Sequence, residues 1–100
     1  MKGVQKLFVI TKAIVLKNNE MVDNQTMMFE EKSDALEEFN NIAPALRLAK
    51  IEFQESTKEG LPILEFQQEG MKIHIAIIEG LMTSGGFITS RPMNPYAIED

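Results

Sequence analysis

One histidine, His74, and three adjacent carboxylate pairs, Glu30-Glu31, Glu37-Glu38 and Glu99-Asp100, are the residues whose types offer chemistry. General acid and base work needs two groups converging on one cleft. Neighbouring positions on a helix diverge by about 100°, so Glu37 and Glu38 do not converge by themselves. His74 stands between Ile73 and Ile75 in an apolar run, with no second His and no Cys anywhere in the chain. A catalytic zinc takes about three protein ligands, and an oxygen-ligated cation site would need a carboxylate spacing that is not found here. Gly-x-Ser-x-Gly, Walker-type and dinucleotide-binding patterns do not occur, and Ser84-Gly85-Gly86 is too short to specify a phosphate loop. The expectation is a non-enzymatic protein with no cofactor and no metal.

The acids invite a different reading as a group. Glu30, Glu31, Asp34, Glu37 and Glu38 fall within nine residues, and Glu52, Glu55 and Glu59 follow. Arrayed on a rigid scaffold, such carboxylates can imitate a phosphate backbone and occupy the basic groove of a partner protein. Lys32, Arg47, Lys50 and Lys58 interrupt that field, and a solvated face is the simpler explanation of a charge run.

Ten basic against fifteen acidic residues leave a net charge of -5, which opposes direct contact with nucleic acid. The absence of Cys excludes a disulfide framework. The opening apolar run Leu7-Phe8-Val9-Ile10 is interrupted by Thr11-Lys12, short of the roughly 7 to 15 residues of a signal-peptide core and the roughly 20 of a membrane span. No membrane contact and a cytoplasmic location are the corresponding expectations.

The hydrophobic fraction of 44% with 25% charged residues is globular, and 100 residues suit one domain, taken as 1–90 with a tail over 91–100. Residues 4–17 are apolar on both alternate sets, as in a central strand, and Asn18-Asn19-Glu20 supplies turn chemistry before a returning strand from Met21. Ser33 is a candidate cap for a helix over about 33–43, whose stripe Ala35, Leu36, Phe39, Ile42 and Ala43 should dock on a sheet. Pro44 should end or kink it near residue 43, and residues 45–49 fit helix or strand equally.

Glu-Gly then recurs at ten-residue intervals, at Glu59-Gly60, Glu69-Gly70 and Glu79-Gly80, between segments of strand-type alternation. These residues predict a three- or four-stranded antiparallel meander, with three-residue loops ending on a left-handed glycine. The fold class is thus α+β: N-terminal hairpin, helix, meander, with the helix on one sheet face. In that register Ile63 opposes Ile75 and Glu65 opposes Ile73, and the face away from the helix carries Glu52, Gln54, Leu64, Phe66, Lys72, His74, Ala76 and Ile78.

Leu64, Phe66, Lys72, His74 and Ile78 are therefore the candidate interaction face, because large exposed apolar patches are uncommon on soluble monomers. Packing against the N-terminal hairpin is the plainer use of the same residues. Met27-Met28 is the methionine pair expected to be partly exposed, and Arg91 and Tyr96 are candidate tail contacts. The functional expectation is an interaction or regulatory protein that forms a homo-oligomer or binds a protein partner. In composition, though in no motif, it resembles small accessory proteins of bacteriophages and mobile elements. The second reading is an acidic inhibitor mimicking nucleic acid, and the third a small-ligand-binding domain, which would need a deep apolar pocket.

Overall fold

The computed structural model describes residues 4–89. It is an antiparallel sheet with a bent helix packed against one face, an α+β architecture. Strands β1 (Gln5–Val15) and β2 (Met21–Phe29) precede helical segments α1 (Lys32–Phe39) and α2 (Ile42–Leu48). Strands β3 (Phe53–Lys58), β4 (Leu61–Gln68), β5 (Met71–Thr83) and β6 (Gly86–Ile88) follow. The spatial order is β2-β1-β5-β4-β3, with β6 on the far end of β5.

This order explains the helix. Strands β2 and β3 are consecutive in sequence but lie on opposite edges, so their connection must cross the whole sheet. Crossing it as an amphipathic helix buries apolar area on both partners. Ala35, Phe39, Ala43 and Leu46 enter one core with Phe8 and Ile10 of β1, Leu64 of β4, and Ile73, Ile75 and Ile77 of β5.

The helix begins at Lys32, one residue before Ser33, and helical structure continues past Pro44. Glu31 is the N-cap of α1 and makes no side-chain capping bond, so Ser33 sits in the first turn and does not cap. The bend falls at Asn40-Asn41, and Pro44 stands in the first turn of α2, where a missing N–H leaves no intrahelical bond unmade. Residues 45–48 are therefore helical. Lys50, at φ 61°, closes α2 with a paired C-terminal motif: Ile51 N–H donates to the Leu46 carbonyl at 2.9 Å, and Lys50 N–H to that of Arg47 at 3.0 Å.

The meander turns are tighter than their sequence implies. Lys58 pairs with Leu61 and Gln68 with Met71, which leaves two-residue loops, Glu59-Gly60 and Glu69-Gly70. Both residues of each loop have positive φ, 56° and 79° in the first and 55° and 79° in the second. That is the type I′ geometry whose twist matches a hairpin. Here glutamate, and not glycine alone, enters the left-handed region. A loop shorter by one residue shifts the register by one and turns over every side chain of the following strand. Leu64 thus opposes Ile75, Phe66 opposes Ile73 and Glu65 opposes His74.

Candidate interaction face

Within β5 the side chains alternate, so Ile73, Ile75 and Ile77 point to the helices, while Lys72, His74, Ala76 and Ile78 share the second face. The register brings Leu7, Val9, Thr11, Ala13 and Val15 of β1 beside them, and Ile63 and Glu65 of β4. The helix-side core has Leu64 and Phe66 instead; Leu64 is completely buried, and both leave the candidate interaction face. Three of its five proposed members, Lys72, His74 and Ile78, do lie together. The N-terminal hairpin does not cover them: it extends the same sheet edge to edge, with β1 paired to β5 along all of Gln5–Val15.

The centre of this second face is buried and, apart from Thr11, apolar, with Val9, Ala13, Val15, Ala76 and Ile78. Small side chains alternate there with larger cross-strand neighbours; Ala13 lies between Asn24 and His74. No helix or further strand among the described residues crosses it. At one end the Phe87 ring sits over Gly80: a Cβ at Gly80 would meet the Phe87 Cζ at 2.4 Å and the Ile88 carbonyl oxygen at 2.6 Å.

Polar contacts border the apolar centre at the Lys72–His74 end. His74 Nδ1 lies 2.8 Å from Glu65 Oε2, and Lys72 Nζ donates to Asn19 Oδ1 at 3.2 Å. His74 is thus held by a cross-strand carboxylate, an arrangement that satisfies a mostly buried imidazole. Among the described residues no cluster of three or more His, Asp or Glu is placed to hold a metal ion.

At the β2 margin the face becomes exposed. Val22 and Met28 are 51% and 49% exposed, and Met27, on the helix side, is 49% exposed. Three of the seven large apolar side chains left exposed among the described residues therefore lie on one outer strand. The signal in the sequence was the weak patterning of residues 21–29: a strand with Met-Met and Val outside the core pattern has apolar groups with nowhere internal to go.

The five acids of the proposed patch, Glu30, Glu31, Asp34, Glu37 and Glu38, are all exposed around α1, and none is in an ion pair among the described residues. On the helix side a cleft of about 440 Å³ lies between α2 and β1–β2, with Met27, Ile42, Ala45 and Leu46 in its wall. Arg91 and Tyr96 lie outside the described residues, as does the boundary between domain and tail. No helix among the described residues is long and apolar enough to cross a membrane. Comparison with known protein families, curated proteins and solved structures finds no match.

Proposed function

We propose that this chain is a non-enzymatic interaction protein that works as a homo-oligomer, with its sheet forming the contact. The observation that carries the reading is the concentration of exposed apolar side chains, Val22, Met27 and Met28, on a single edge strand. Removing that area from water is worth roughly 25 cal/mol per Å², and a second subunit is one way to do it. The satisfied His74–Glu65 pair and the solvent-exposed carboxylates around α1 favour a structural over a catalytic use of the polar residues. Light scattering on the intact chain across micromolar concentrations tests the reading: a mass of two or more chains is expected, and a monomer throughout contradicts it.

A second reading rests on the five exposed acids beside α1, which would suit the basic groove of a protein partner. Binding of that kind weakens steeply as salt rises, because exposed charges are screened within about 8 Å at physiological ionic strength. Retention of a captured partner at high salt would speak against it.

A further inference from the structure

The two edges of the sheet are built differently. Strand β3 is six residues long and carries Glu55 and Lys58, charges of the kind that discourage another strand from pairing. Strand β2 has nine residues, no proline, no lysine and a single charge, Asp23. One side of β2 pairs with β1, and among the described residues nothing pairs with the other. Between Asp23 and Phe29 its ladder to β1 is regular; the shift at Val22, where Met21 rather than Val22 opposes Val15, ends the regular stretch.

Asn24 adds an independent observation. Its side-chain Nδ2 is buried and has no hydrogen-bond partner among the described residues. A buried donor left unpaired costs about 1–3 kcal/mol, and such groups in folded proteins nearly always find an acceptor. Thr26 lies two residues along on the same face and is exposed.

We propose that the outer edge of β2 binds β2 of a second copy of this chain, antiparallel about a twofold axis at Gln25. The inference rests on the homo-oligomer reading above and names its interface. An identical strand fits because a twofold axis makes an edge complementary to itself. With the axis at Gln25, Asn24 of each copy faces Thr26 of the other, so rotation of the Asn24 side chain out of its buried position brings the orphaned amide to a hydroxyl acceptor twice. Asp23 faces Met27, so the only charge of the strand does not oppose its own copy. Val22 faces Met28, which brings together the two exposed apolar residues of the second face. That contact extends the row Met28–Val9–Ile78 into the second subunit. One edge group is already engaged: Asn24 N–H donates to the Asp23 carboxylate at 2.9 Å, and pairing exchanges that local bond for a strand-to-strand one. Segment α1 lies over β1 and β2, so the helices of both copies flank the joined sheet.

The test exploits the Asp23–Met27 pair of this register. Met27→Asp places two carboxylates opposite each other twice and should raise the dimer dissociation constant about tenfold or more, while Met27→Lys should keep or tighten the dimer. Asp23→Lys combined with Met27→Asp should restore it. Dissociation constants come from sedimentation equilibrium, with circular dichroism confirming that each variant is folded. A monomeric parent chain would overturn the homo-oligomer reading together with this inference. A dimeric parent indifferent to Met27→Asp, or equally weakened by Asp and Lys, would overturn this inference and leave the homo-oligomer reading standing.

Discussion

Glu65 and His74 face each other across β4 and β5, with His74 Nδ1 2.8 Å from Glu65 Oε2. The pairing follows directly from a two-residue turn at Glu69-Gly70; one more residue in the loop would bring Ile73 opposite Glu65 instead. Glu65 is 36% exposed and His74 13%, so the contact is only partly removed from solvent. Replacing either residue with alanine is expected to cost about 0.2–1 kcal/mol, and the double variant should cost less than the sum. Urea unfolding of the four proteins of the cycle checks this; strict additivity would show that the two side chains do not interact.

The turns themselves are improvable. Glu59 and Glu69 occupy the left-handed region at φ 56° and 55°, a conformation that costs an ordinary residue about 1–2 kcal/mol and asparagine less. Asn-Gly is the preferred pair for this turn. Glu59→Asn and Glu69→Asn should each therefore raise stability by about 0.5–1 kcal/mol, seen as a higher urea midpoint with an unchanged slope. A drop in midpoint would contradict the assigned turn geometry.

Gly80 has a different role from Gly60 and Gly70. Nothing lies within 4 Å of a Cβ added at either turn glycine, whereas at Gly80 it would strike the Phe87 ring and the Ile88 backbone. Gly80→Ala should destabilise the protein by about 1–3 kcal/mol. Phe87→Ala in the same chain should recover part of that loss only, because the backbone oxygen at 2.6 Å remains. Full tolerance of Gly80→Ala in thermal unfolding would argue against the seating of β6 on β5.

What could be read from the chain was whatever lies within one element. The α+β class followed from a helical stripe beside alternating strands, and Ala35, Phe39 and Ala43 of that stripe are in the core. Lys72, His74 and Ile78 share a face because they alternate within β5, so no loop intervenes. Leu64 and Phe66 belong to another strand, and their phase relative to β5 depends on a loop whose length turns on glutamate accepting positive φ. The same one-residue difference occurs at both turns and cancels by β3, which leaves Phe53 on the helix side as the alternation predicts. Proline has a similar ambiguity: Pro44 forbids an unbroken helix, yet it suits the first turn of a new one. Least readable was which strands form the edges, because the β1–β5 pairing joins residues far apart in the chain, from Val15–Lys72 to Gln5–Met82. The outer edge of β2, on which the proposed interface rests, follows from that long-range contact.

The chain contains no cysteine, so a single introduced thiol reports one contact without ambiguity. Residues opposite each other at a non-hydrogen-bonded antiparallel position have Cα atoms about 4.5 Å apart, within the roughly 4.4–6.8 Å that a disulfide spans. Gln25→Cys, which lies on the twofold axis, should oxidise rapidly to a covalent dimer at low micromolar concentration, while Ser56→Cys on the charged β3 edge should not. The decisive measurement is the rate of disulfide dimer formation for these two variants, followed by non-reducing electrophoresis under one mild oxidant. At least a tenfold faster rate at position 25 is the result expected of β2 pairing with β2; equal rates at the two edges would contradict it.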